Sequence, residues 1–404
     1  MISERKTWIV SEYYYPIVTS TGYYITEIAE HLATKAENIH VICTNSNYND
    51  NSNKATEKDE IFNNVHIHRV FTGNINKDIF ILRGIRLLWS SWMLFIKLIS
   101  NVNKGDKLIV VTNPAFLFLL FPIIKKVKKI EYTILVHDIF PENLVVIDKL
   151  RNTSLIYKLL SKLFNYAYSQ AEVCIALGRD MIEVLKLKIE RKSQIILIPN
   201  WADVTDVYPV AKEKTKMLNK LNLADKFVFQ FAGNLGHAQG LDNILQAIKL
   251  IDNKNLYFLF IGAGAKAETI KHFIENNPQS NVTLVGFQNR DEQNDFLNAC
   301  DISIVTLSEG MFGLGVPSKS YNIMAAGKPI IFVGDENSEI SLCVKEFNIG
   351  WVVEPNNPIA LKDAFLEAYE DSDLFKAIKI RSRQIAETHY AKDIILNKYL
   401  ELLS

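Results

Sequence analysis

The chain has 404 residues, a length that suits two domains, and 48% of them are hydrophobic, enough for large cores. Lys and Arg (45) balance Asp and Glu (45), which removes any global argument for a nucleic-acid partner. The four cysteines, Cys43, Cys174, Cys300 and Cys343, lie far apart in or beside apolar runs. They have no CxxC or metal-ligand spacing, so they read as reduced core residues of a cytoplasmic protein.

In chain order, the opening MISERKTWIV has no apolar signal-peptide run. Residues 7–11 read as the first strand, followed by EYYYP and by the small-residue loop Thr19, Ser20, Thr21 and Gly22. A helix over 23–33 shows apolar residues at helical spacing, Ile25, Ile28, Ala29 and Leu32. Residues 39–44 form a second strand, 45–60 are polar and Asn-rich and read as a mobile surface loop, and 65–70 alternate as a strand does. Residues 79–100 and 114–124 are strongly apolar. Arg83, Arg86 and Lys97 interrupt the first. The second is shorter than the ~20 residues a membrane span needs, and it runs into Lys125, Lys126, Lys128 and Lys129. Two readings stay open: helices buried in an α/β domain, or an interfacial surface where basic residues beside Trp89, Trp92 and Phe95 meet lipid headgroups.

Residues 107–112 and 131–137 read as buried strands, and His137-Asp138 stands at the exit of the second. Ligands of open α/β sheets bind beyond such ends. The pair is therefore either a catalytic feature or a turn cap. Strands at 173–176 and 195–198 complete this half, PNWAD follows at 199–203, and a charged, apolar-poor stretch to Lys226 marks a domain boundary.

The same alternation then restarts. A strand over 227–232 enters the loop GNLGHAQG, which opens a helix over 241–251. A strand over 257–261 enters Gly262-Ala263-Gly264, half of a dinucleotide fingerprint that lacks its third glycine. A strand over 282–285 exits at Gly286-Phe287. Residues 301–305 lead into a turn with Gly310, Gly313 and Gly315, a helix over 318–326 stopped by Gly327, and a strand over 329–333. Such a passage is either an ordinary βα connection or an anion site, with free N–H groups at the helix start and the charge of Lys319. Residues 350–353 are the last strand, and the remainder is helical, ending in 391–403. There is no GxxxxGK[ST]. The one DxD, Asp371-Ser372-Asp373, sits late between helices and reads as a cap, so no catalytic metal is expected.

FAGNLGHAQGLDNILQAI (231–248), PNWAD (199–203) and VPSKSYNIMAAGKPII (316–331), with EYYYP and VHDIFPE (136–142), together point to one family. The chain resembles the family-4 glycosyltransferases of the GT-B fold, in particular the bacterial subgroup that builds O-antigen, capsule and colanic-acid-like polysaccharides. The resemblance covers essentially the full length. It implies two Rossmann-like α/β domains facing a cleft, 1–200 for the acceptor and 201–385 for the nucleotide sugar. A last segment, 386–404, carries a helix that packs back on the first domain. The implied reaction is a retaining, metal-independent transfer from a nucleotide-diphosphate sugar, with UDP favoured and an N-acetylhexosamine-type residue expected. The acceptor would be a lipid-linked or growing glycan. The protein would be cytoplasmic and peripheral on the inner leaflet, where the Trp89/Trp92 and Lys125–Lys129 stretches would dock. Gly233, Asn234, Gly236 and His237 would approach the diphosphate, as would Pro317, Ser318 and Lys319. Backbone at Gly286 and Phe287 would hold the base, Gly22 would close over the donor, and His137 would contact the transferring sugar.

The chain also departs from the pattern. Many members carry two glutamates where this sequence has Leu314 and Asn322. Asn322 can still hydrogen-bond a ribose hydroxyl, more weakly than a carboxylate, and Glu309, in a longer loop, is the candidate replacement. The frequent basic pair after the glycine loop is here His237 and Gln239. The diphosphate charge then falls to helix N-termini, Lys319 and His237. In a front-face course the leaving phosphate oxygen takes the acceptor proton, His137 orients a sugar hydroxyl, and Asp138 orients His137 or caps the next turn. A double displacement would call on Asp138 or Glu309. Two further classes stay open: a nucleotide-sugar epimerase of the same fold, and a non-catalytic sugar-nucleotide-binding subunit, which the missing glutamates favour.

Overall fold

The computed structural model of the chain describes residues 5–17, 19–35, 38–45, 57–72, 80–189, 193–370 and 372–403. Most of the Asn-rich 45–60 stretch, and Asp371 of the DxD, lie outside the described residues. The chain divides into two compact units. One comprises Met1–Val145, Leu150–Ile198 and Leu396–Ser404, and the other Val146–Lys149 and Pro199–Ile395. The last helix, Lys392–Leu403, is thus shared, its remainder from Leu396 grouping with the first unit.

The strands of the first unit are β1 (Thr7–Val10), β2 (Ile39–Thr44), β3 (Asp59–Phe62), β4 (Val65–Val70), β5 (Lys107–Val111), β6 (Tyr132–Val136), β7 (Val173–Ala176) and β8 (Gln194–Leu197). They form one sheet in the order β3-β4-β2-β1-β5-β6-β7-β8. All pairs are parallel except β3 with β4. Parallel strands covered on both faces carry apolar residues without alternation, and every residue of β2 and β6 is buried. β3 corrects the expectation of a loop as far as residue 60. Its turn uses Asn63 and Asn64, both left-handed (φ 47° and 63°), a hairpin turn that Asn-Asn signals less plainly than Asn-Gly. Arg69 holds the hairpin through Glu60 at 2.8 Å and the Glu57 carbonyl at 3.0 Å.

The helix Ser20–Ala33 is capped by Thr19, whose Oγ1 accepts from Gly22 N at 3.0 Å. The helix Phe80–Asn101 is two-faced. Leu94 and Leu98 are fully buried, while Trp89 and Trp92 are 46% and 50% exposed beside Ile85, Leu88 and Ile96. The second apolar run breaks into two short helices, Ala115–Phe118 and Phe121–Lys128. Among the described residues no helix is long and apolar enough to cross a membrane.

The second unit holds β9 (Phe227–Ala232), β10 (Leu256–Ile261), β11 (Val282–Val285), β12 (Ile302–Thr306), β13 (Ile330–Val333) and β14 (Gly350–Val353). They make a parallel sheet in the order β11-β10-β9-β12-β13-β14. The order reverses between β9 and β12, so the crevice beyond their carboxyl ends is the topological switch point where such sheets bind ligands. The helix Lys319–Ala325 ends at Gly327 (φ 63°), with Gly327 N bonded to Met324 O and Lys328 N to Ile323 O. PNWAD is a structural tie. Ala202 bridges Ala391 ahead of the last helix, and Asp203 N donates to Asn322 Oδ1 at 2.8 Å.

Candidate functional site

At the switch point β9 runs into the glycine loop. Gly233 (φ 145°) and Asn234 are exposed there. The loop is held by the weak GAG motif. Gly233 N bonds Ile261 O and Leu235 N bonds Ala263 O, both at 2.9 Å. A Cβ on Gly262 would lie 1.9 Å from Gly233 O, and one on Gly264 2.5 Å from Leu235 O. These two glycines are therefore fixed by backbone approach within the loop pair, which explains a dinucleotide-like pattern that lacks its third glycine.

Lys319 faces this loop. Its Nζ lies 3.5 Å from the Phe231 ring centroid and 3.5 Å from where a Cβ on Gly233 would sit. Among the described residues no carboxylate pairs with it. The ring face attracts the ammonium, but burial outweighs this and lowers its pKa to about 7. The backbone at the start of its helix offers less than the spacing implies. Ser320 N already donates to Pro317 O at 3.2 Å and Tyr321 N to Ser318 O at 3.4 Å. In a helix of seven residues the lysine, rather than a helix dipole, is the cationic element.

Beside the loop lies a cavity of about 460 Å³, walled by residues at the carboxyl ends of β9, β12, β13 and β14. His237, Asn243, Thr306, Ser308, Glu309 and Asn356 line it. Ser308 N and Oγ donate to Ala238 O (2.9 Å) and His237 O (3.1 Å), which seals the glycine loop against the end of β12. Glu309 is exposed, and its Oε2 accepts from Asn356 Nδ2 at 2.8 Å. Gly310 and Gly313 (φ 82° and 66°) give its loop the bends it needs. Leu314 is buried, so it turns no polar group toward a ligand.

In the first unit His137 and Asp138 follow β6, and both backbone N–H groups donate to Thr112 Oγ1 at 3.1 Å. Burial drops the His137 pKa to about 4, so the ring is neutral near pH 7, and its Nε2 has no partner among the described residues. Burial lifts Asp138 to about 6, although the Asn143 amide bonded to Oδ1 at 3.0 Å opposes this. Of the two roles expected for Asp138, its hydrogen bond runs to the following turn rather than to His137. Gly22 is buried in the first turn of its helix, and a Cβ there would meet Ile17 O at 2.8 Å.

The structure brings Gly233, Asn234, Gly236, His237, Lys319 and Glu309 around one end of the second sheet, with Pro317 and Ser318 half-buried ahead of the helix. Gly286 adjoins Gly262, whose N–H donates to Val285 O at 3.0 Å, and Phe287 is 54% exposed. Asn322 has its Oδ1 committed to Asp203 N. Sequence reasoning missed Asn243 and Thr306. The available signal was a polar residue breaking the apolar face Leu241, Ile244, Leu245 and Ile248.

Two Rossmann-like units of parallel sheet make this a GT-B fold, the scaffold of a broad class of glycosyltransferases. The solved structure of HepE from Anabaena in complex with UDP shares that fold, with a TM-score of 0.74 and 14% identity over 98% of this chain and 99% of its own. The sequence model for glycosyl transferases group 1 matches residues 213–385. The probable glycosyltransferase WbjE of Pseudomonas aeruginosa is 39% identical over 324 residues, 80% of each chain. The putative colanic acid biosynthesis glycosyl transferase WcaI of Escherichia coli K12 is 25% identical over 227 residues, 55% of each. The chain belongs to the group 1 glycosyltransferases.

Proposed function

We propose that this glycosyltransferase moves an N-acetylhexosamine-type sugar from UDP, with retention and without a metal, to a lipid-linked or growing glycan of a bacterial surface polysaccharide. The observation that carries the reading is the Lys319 ammonium, without a carboxylate partner among the described residues, beside the exposed Gly233 backbone at the switch point of the second sheet. A cation on an apolar ring platform, next to backbone a phosphate can approach, suits a departing diphosphate. The role in polysaccharide assembly is supported by the name of WcaI, and the choice of uridine by the UDP in HepE.

His137 enters as a neutral hydrogen-bonding group on a sugar hydroxyl, consistent with its low pKa. Glu309 is the carboxylate nearest in sequence to the missing pair, and it would leave Asn356 to reach a sugar. The exposed Trp89 and Trp92, with Lys126 and Lys129, support peripheral docking on the inner leaflet. Lys125 contributes less, being bonded to Glu131 and to Gln170 O.

A thermal-shift screen with UDP, GDP, ADP, CMP and TDP tests the donor. A selective ligand at a hundredfold excess over its dissociation constant adds ~2.7 kcal/mol of apparent stability. Transfer assays with the selected donor and a lipid-linked acceptor follow. Conversion of donor without acceptor would identify an epimerase, and no shift with any nucleotide would refute the reading.

A further inference from the structure

The cavity beside the glycine loop differs chemically from the Lys319 platform. Its charged lining leans acidic, with Asp148, Asp242 and Glu309 against Lys149 and Lys266. Asp242 pairs with Lys266 at 2.7 Å, Glu309 is bonded to Asn356, and the rim carries Asp148 and Lys149, one of each sign. Such a wall suits a neutral, hydrogen-bonding ligand better than a phosphate.

Three polar atoms in that wall have no partner among the described residues. They are both ends of the Asn243 carboxamide and Thr306 Oγ1. Asn243 is 6% exposed and Thr306 is 0% exposed. They come from separate elements, the helix Leu241–Lys249 and the end of β12, and meet around Gly240. Asn243 N bonds Gly240 O at 3.1 Å, and a Cβ on Gly240 would lie 3.6 Å from Thr306 Oγ1. Buried polar groups are normally paired, and each orphan weakens the fold. Three orphans at one cavity wall are explained if a bound group completes them.

We infer that Asn243 and Thr306 select the transferred sugar by hydrogen-bonding its acetamido group. The inference rests on the donor-site reading above and adds the residues that discriminate. A primary carboxamide presents two N–H donors and a carbonyl acceptor, and a threonine hydroxyl does either. A trans secondary amide holds its N–H and its carbonyl on opposite edges, so an acetamido group bonds Asn243 through one and Thr306 through the other. The shorter hydroxyl in its place reaches one of the two residues and leaves the other buried and unpaired, which is how such sites reject analogues.

The test uses the full-length protein, Asn243→Leu and Thr306→Val, with UDP, UDP-N-acetylglucosamine and UDP-glucose measured by calorimetry. The wild type is expected to prefer the acetamido donor by at least ~10-fold, and Asn243→Leu to erase most of that preference while UDP affinity stays within about twofold. Thr306→Val is expected to reduce the preference by roughly threefold to tenfold. The ligand-free Tm of both variants should hold or rise, because an unpaired polar group is removed. A merely structural role predicts a fall in Tm and an equal loss for all three ligands, which would overturn the inference. Wild-type protein that binds UDP but treats both donors alike would overturn it and leave the donor-site reading standing. Wild-type protein that binds no UDP would sink both.

Discussion

The proton balance of Lys319 gives the sharpest test of the nucleotide site. Without ligand, burial holds its pKa near 7. A diphosphate against the ammonium restores the charged form. At pH 8 the free side chain is about 90% neutral and the bound one is charged, so UDP binding should take up about 0.9 proton. UDP affinity should then fall by about tenfold for each pH unit above 7, until the pKa of the complex is reached. Calorimetry at pH 8 in buffers of different ionisation enthalpy counts the proton directly. Lys319→Met should abolish the uptake and the pH slope. It should also weaken binding at pH 7 by roughly 10- to 150-fold, the equivalent of the ~1.5–3 kcal/mol of a hydrogen bond to a charged group. Ligand-free stability runs the other way. The unfolded lysine, with its ordinary value of 10.5, binds more protons than the folded one between pH 7 and 10.5, so stability rises with pH across that window. Wild-type binding without proton uptake at pH 8, or an unchanged pH slope in Lys319→Met, would refute the placement of the diphosphate at Lys319.

Three further outcomes follow from particular residues. Gly262→Ala should cost about 3 kcal/mol or more in urea unfolding, from overpacking and left-handed strain, because its Cβ would overlap Gly233 O. Gly286→Ala, with nothing within 4 Å of its Cβ, should stay within about 0.5 kcal/mol. Asp138, raised to about 6 from 3.8, binds more protons folded than unfolded between those values, so the urea midpoint of the first unit should fall as pH rises from 3.8 to 6. Asp138→Asn should flatten that segment, and an unchanged slope would show that Asp138 is not its source. Trp89→Ser with Trp92→Ser should reduce partition onto anionic vesicles at low salt by at least ~10-fold, read by sedimentation. Equal binding of variant and wild type would exclude that helix face from the docking surface.

Much of the plan was legible in the chain because its signals are local. The apolar runs of β2, β6, β9 and β12 need both faces covered, so they announce parallel sheets. Gly327 stops its helix because the left-handed C′ position favours glycine, and the sequence marks the stop one residue after the last helical turn. Strand β3 escaped because its turn chemistry is weak and its edge residues are half-polar.

What the sequence could not supply is which distant atoms meet. The Gly262-Ala263-Gly264 run looks like a phosphate loop in one dimension, and only the tertiary contact with Gly233 and Leu235 assigns it to loop packing. Asn322 reads as a carboxamide open at both ends until Asp203, over a hundred positions away, is found donating to its Oδ1. Lys319 carries a positive charge in any sequence reading, but its depressed pKa arises from burial over Phe231, and burial is a property of the fold. Asn243 and Thr306 are unremarked single letters in the chain. Their unpaired side chains exist only because folding buries both at one cavity wall and gives neither side chain a partner among the described residues. Periodicity and turn chemistry act over a few residues and so can be read from sequence, whereas desolvation and hydrogen-bond satisfaction are sums over neighbours that the fold alone brings together.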